Sequence, residues 1–129
     1  MFGEEAIFGQ AQINIDSKGR IFLPSFTSKE AGDELVLVYD DTLGVYEIYS
    51  ASALKDKFNE LEEKIINART KKDEVFYKKR LLLLGKSILK RSKVDGQGRM
   101  SIGKVFGDES QLLTTGAYNR LIIEPIKKK

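Results

Sequence analysis

Apolar and polar positions change their period twice along the chain. Residues Phe8 to Ile15 alternate loosely, with Ile13 and Ile15 apolar between Gln12 and Asn14, as a half-buried strand does. Ile21-Phe22-Leu23 resumes as a second strand and stops at Pro24, which cannot donate to a sheet ladder. Ser25 to Ala31 reads as a short turn or single helical turn closed by Gly32. Two β-rich runs follow, Leu35 to Tyr39 and Val45 to Tyr49, separated by the polar loop Asp40-Asp41-Thr42-Leu43-Gly44. From Ser50 the spacing becomes helical: Leu54, Phe58, Leu61, Ile65 and Ala68 recur at four and three, with Ser50 or Ser52 as the N-cap. After Thr70-Lys71-Lys72, Asp73 is the expected cap of a second helix over Val75 to about Gly85, carrying Phe76, Leu81, Leu83 and Leu84. The run Leu81 to Leu84 is more apolar than one helical face requires, which predicts a helix buried on two sides; a subunit interface is the alternative. Strand character returns over Ile88 to Val94, Met100 to Ile102, Leu112 to Thr115 and Leu121 to Glu124.

The two strand-rich stretches are copies of one unit. Asp16-Ser17-Lys18-Gly19-Arg20 reappears as Asp95-Gly96-Gln97-Gly98-Arg99, 79 residues later, and Glu47 corresponds to Glu124 at an offset of 77, so a two-residue indel lies in a loop between them. Each motif suits a three-residue hairpin loop in which a type I turn is followed by one left-handed residue, the slot filled by Gly19 and Gly98. Asp16 and Arg20, like Asp95 and Arg99, then face each other across the hairpin mouth, and Lys18 and Gln97 stand at the tips. Gly103 occupies the place of Pro24 in the second copy, which predicts a less rigid second hairpin and makes Arg20 the better-placed of the two arginines. Neither copy has enough strand to bury an apolar face alone. The expectation is a single α+β domain: a first repeat over residues 8–49, a helical insert over 50–87 and a second repeat over 88–126, the repeats combining into one barrel-like sheet with pseudo-twofold symmetry.

Composition narrows the chemistry. A chain of 129 residues suits one compact core. It contains no Cys and no His, which removes thiolate nucleophiles, disulfides, Cys/His zinc sites and imidazole acid–base catalysis. No stretch approaches 18 uninterrupted apolar residues and the first residues do not read as a leader, so the expectation is a cytoplasmic protein. The net charge of +3 hides a segregation: Glu30 to Glu63 holds ten acidic and two basic residues, Arg69 to Lys104 twelve basic and three acidic. Such asymmetry marks a polyanion partner, or charge-complementary packing between protomers. The closing Lys127-Lys128-Lys129 reads as a solvated tail.

One Asp-x-x-Gly-Arg turn needs no role beyond local stability. Two of them, in a chain with so basic a second half, point to nucleic acid, because Arg forks onto phosphate or the acceptor edge of guanine. The expected DNA-contacting set is Arg20, Arg99, Lys18, Gln97, Lys90, Arg91 and Lys93, with Asp16, Gly19, Asp95 and Gly98 building the turns. A phosphate cradle at Gly96-Gln97-Gly98 fits poorly, since the loop runs into a strand rather than opening a helix. Carboxylate catalysis through Asp40, Asp41 and Glu47 lacks a nucleophile or metal-ligand set. The expectation is therefore a non-enzyme without cofactor, metal, membrane partner or small-molecule substrate. The competing class is a protein-interaction module whose acidic Glu30 to Glu63 segment engages a basic partner.

These residues resemble the MraZ family, bacterial transcriptional regulators within the AbrB-like group of swapped-hairpin DNA-binding proteins. The resemblance rests on Met1-Phe2-Gly3, the Asp16 to Arg20 motif leading through Ile21-Phe22-Leu23 to Pro24, the helical pair, and the second motif at Asp95 to Arg99, and it spans almost the whole chain. It implies an AbrB-like swapped-hairpin β-barrel built from both halves of one chain, assembly into a ring or other homo-oligomer, and binding of double-stranded DNA at short repeated promoter sites in the nucleoid. By the same resemblance Arg20 and Arg99 are the motif arginines, and Asp16 and Asp95 the motif acids. The protein-interaction alternative within this group is an antitoxin.

Overall fold

A computed structural model describes residues 1–126; the Lys127-Lys128-Lys129 tail lies outside the described residues. The chain runs β1 (Gln10–Asn14), β2 (Arg20–Phe22), a 3-10 turn (Ser25–Thr27), β3 (Glu34–Asp40), β4 (Val45–Ser50), α1 (Ala51–Ile66), α2 (Lys71–Lys86), β5 (Ile88–Lys93), β6 (Arg99–Ser101), β7 (Gln111–Gly116) and β8 (Leu121–Pro125). The architecture is α+β. A six-stranded antiparallel sheet of order β1-β7-β8-β4-β3-β5 is accompanied by a two-stranded ladder of β2 and β6. No described helix is long and apolar enough to cross a membrane.

The two repeats interleave rather than stand side by side. β1 of the first repeat pairs with β7 of the second, β5 of the second with β3 of the first, and β2 with β6. This corrects the expected hairpins: between β1 and β2 only a single bridge joins Ile15 to Ile21. The expected barrel does not close either. β2 and β6 have three residues each, and the Arg20 and Arg99 N–H groups are taken by the carboxylates of Asp16 and Asp95 instead of extending a ladder back to β1 and β5. The sheet therefore stays open at its β1 and β5 edges, and the short ladder lies across its apolar face.

That face and the ladder enclose the main core. Ile21 and Met100, directly opposite each other at the centre of the ladder, pack with Leu35, Leu37, Ile48, Leu112, Leu121 and Ile123, all fully buried. A second, smaller core lies on the other face of the sheet, where Val36, Val38 and Tyr49 receive Leu54 of α1. β3 is thus covered on both sides, as its continuous apolar run requires.

α1 begins as expected, Ser50 accepting a hydrogen bond from the Ala53 N–H at 3.1 Å. α2 starts earlier than expected: the cap is Thr70, whose hydroxyl accepts from the Asp73 N–H at 3.1 Å. Asp73 and Glu74 instead occupy the first turn, where carboxylates favour the helix dipole. The expected two-sided burial of α2 is overturned, for it has no fully buried residue and Leu82 and Leu83 are exposed. Only its inner side touches the second core, through Leu84.

Candidate nucleic-acid interface

Each Asp–Gly–Arg turn is a closed set of hydrogen bonds. In the first, the Asp16 N–H donates to the Arg20 carbonyl at 2.9 Å and the Gly19 N–H to the Asp16 carbonyl at 3.0 Å. Asp16 Oδ1 accepts from the Lys18 and Arg20 N–H groups, both at 2.9 Å, and Oδ2 accepts from Arg20 Nε at 2.8 Å. The second turn repeats this with Asp95, Gln97 and Arg99, at 2.9, 2.9 and 2.8 Å. Gly19 and Gly98 hold φ of +73° and +79°, the left-handed slot expected for them. The Arg N–H bond is the main cause that holds both Asp carboxyls below the usual aspartate range, with the second N–H of the turn and the guanidinium adding to it against partial desolvation.

The turns also lock each other. The Ile102 N–H donates to the Gly19 carbonyl at 2.8 Å and the Leu23 N–H to the Gly98 carbonyl at 3.1 Å, equivalent bonds across the pseudo-twofold axis. Gly103 adds a further N–H bond to the Gly19 carbonyl at 3.2 Å and holds φ of +61°. The second turn therefore has the same internal bonds as the first, and Gly103 packs directly on Gly19 where a looser connection was expected.

This pairing brings both motif arginines onto one surface. In the β2–β6 ladder Arg20 opposes Ser101 and Phe22 opposes Arg99, while the central pair Ile21 and Met100 points into the core. Side chains alternate along a strand, so Arg20, Phe22, Arg99 and Ser101 share the outer face. Arg20 and Arg99 are diagonal neighbours, roughly 7–8 Å apart at the backbone. Their Nε atoms are fixed by the aspartates, which leaves the Nη edges free to fork onto a partner. Arg99 also lies over the Phe22 ring, 5.8 Å from its centroid, and its side chain is 18% exposed against 30% for Arg20.

The remaining expected residues divide between two faces. Lys18 and Gln97 are exposed at the turn tips. Lys90 is close to the first turn, its Nζ 3.9 Å from where a Cβ on Gly103 would stand. Arg91 and Lys93 alternate with Lys90 along β5 and lie on its other side, where each reaches Glu34 of β3, at 3.6 and 3.9 Å. Lys29 belongs with the ladder: its Cε lies 3.0 Å from the Cβ position of Gly98. Phe22 read only as a strand residue and is exposed between the arginines. Of the acids weighed for catalysis, Glu47 is buried against Arg120 and Asp40 accepts from the Thr42 N–H within its loop.

No family model matches the chain, and no curated protein matches it.

Proposed function

We propose that this protein is a DNA-binding transcriptional regulator, a non-enzyme acting in the nucleoid as a homo-oligomer on short repeated promoter sites. The observation that carries the reading is the outer face of the β2–β6 ladder, where Arg20 and Arg99 stand as diagonal neighbours, pre-oriented by Asp16 and Asp95 and flanked by Lys18, Lys29 and Lys90. A pair of guanidinium groups held this way matches two acceptors on a duplex, phosphate oxygens or guanine edges. The exchange of partners between repeats, β1 with β7 and β5 with β3, is the arrangement that an AbrB-like swapped hairpin would take within one chain, and it supports the MraZ-like reading. Repetition of the ladder around an oligomer multiplies weak contacts.

A mobility-shift assay on promoter fragments from the protein's own genomic neighbourhood tests this. Arg20→Ala and Arg99→Ala should each weaken binding by roughly 5- to 150-fold, the range of one good bidentate contact, with the larger loss at the more open Arg20 and melting temperatures nearly unchanged. Binding should also fall steeply as salt rises. A flat salt response, or parallel losses of stability and binding, would sink the reading.

A further inference from the structure

A cavity of about 430 Å³ opens on the helical side of the sheet, beside the C-terminal half of α2. It exists because the two helices cover that side unevenly. α1 packs on the sheet through Leu54 and Phe58, whereas α2 reaches the same core only through Leu84. Val38 is the buried floor of the cavity, Leu61 and Leu84 are half-buried apolar walls, and the β3–β4 turn borders it with Asp41 and Thr42. The volume falls in the range that holds small-molecule ligands, roughly 300–1,000 Å³.

Lys57, Lys64 and Arg80 also border the cavity, and each is held by an aromatic residue rather than by an acid. Lys57 Nζ donates to the Tyr49 hydroxyl at 2.9 Å and lies 4.8 Å from the centroid of that ring. Lys64 Nζ lies 5.7 Å from the Tyr77 ring, and the Arg80 guanidinium 5.7 Å from the Phe76 ring. A ring attracts a cation without neutralising it. Glu60 stands four residues before Lys64, the usual spacing of a helical ion pair. Yet among the described residues neither Glu60 nor any of the three cations has an ion-pair partner. Two other carboxylates at the cavity have partners of their own, Glu47 in Arg120 and Asp40 in the Thr42 N–H. Asp41 and Glu60 are left exposed at the rim.

We propose that this cavity binds a mononucleotide, its phosphate on Lys57, Lys64 and Arg80, its ribose hydroxyls toward Asp41 and Glu60, and its base on the apolar walls. Three cations without acid partners suit a phosphate monoester, whose oxygens accept several charge-assisted hydrogen bonds at once. The two rim carboxylates repel a plain anion and accept from hydroxyl and amino donors, so the site favours an anionic head on a donor-rich body. A nucleobase adds the flat apolar surface that Leu61, Leu83 and Leu84 can cover. A free amino acid also carries both charges, but it sets one carboxylate against three cations and leaves much of the volume empty. The cavity lies on the second-core side of the sheet, whereas the β2–β6 ladder closes the main core on the other. It is therefore separate from the arginine surface and adds a ligand to the proposed function.

Calorimetric titration of the full chain tests this without DNA, so that its failure leaves the arginine test standing. Salt of about 0.15 M screens loose attraction between exposed charges. AMP and GMP should bind saturably, one per chain. Adenosine and inorganic phosphate should each bind at least about tenfold more weakly than AMP, because each offers only one half of the ligand. Lys64→Ala and Arg80→Ala should each weaken AMP binding by about tenfold or more, the worth of one charge-assisted hydrogen bond. Their circular dichroism should be unchanged, since both side chains are solvent-facing. Arg20→Ala should bind AMP as the wild type does. Absence of saturable binding by either nucleotide, or binding that both cavity variants leave intact, would overturn the proposal. So would loss of AMP binding in Arg20→Ala, which would assign the phosphate to the ladder. Inorganic phosphate or leucine binding as tightly as AMP would overturn it too, making the cavity a simple anion site or an amino-acid site.

Discussion

Gly19 is the tightest position in the paired turns, because a Cβ there would stand 2.5 Å from the Gly103 carbonyl oxygen at a φ of +73°. Gly19→Ala should cost about 1–3 kcal/mol in urea unfolding. Gly98→Ala should cost less, since its Cβ would meet the Lys29 Cε at 3.0 Å, a side-chain atom that can move. The aspartates titrate in a defined direction. Their folded values lie below the ordinary value of about 3.9, so their stabilising contribution is complete above that value and is lost as pH falls through the lowered folded ones. Carboxyl NMR titration of Asp16 and Asp95 should give midpoints below about 3.9, and Asp16→Asn should remove its share already at neutral pH. These turns were legible in the chain because every bond that builds them lies within five residues. Lys29 and Phe22 were not: Lys29 is placed by the fold against a turn some seventy residues away, and Phe22 gains its role only because β6 sets Arg99 opposite it.

The helices differ in how well their pattern speaks. α1 shows one apolar line at spacings of three and four; Leu54 and Phe58 of that line join the second core and Ser50 caps it as expected, while the helix ends at Ile66, short of Ala68. α2 mixes leucines and cations around its circumference, so periodicity neither located its start nor told which leucines face inward. The leucine run reads as doubly buried only if every apolar residue finds a partner within the same chain. Leu82 and Leu83 stay exposed. Gly85 gives an element-scale test. It sits in the last turns of α2, and among the described residues nothing beyond its chain neighbours and the backbone of its own helix lies within 4 Å of the place a methyl group would take, so Gly85→Ala should raise stability by about 0.5–1 kcal/mol in thermal unfolding.

For the molecule as a whole, the chain alone determined what depends on near neighbours: two copies of one strand unit, the helical pair between them, the left-handed glycines, and an Asp beside each Arg to hold its guanidinium. Tertiary structure decided which strands pair. Alternation tells which side of a strand is apolar but carries no information about the strand that lies beside it, and an antiparallel partner is chosen by the packing of the whole core. That choice threads β1 beside β7 and β5 beside β3, keeps the sheet open, and leaves β2 and β6 to pair with each other. Two separate turns, readable one at a time, become a single surface with two arginines because Ile21 and Met100 must share one core and therefore bring their strands together.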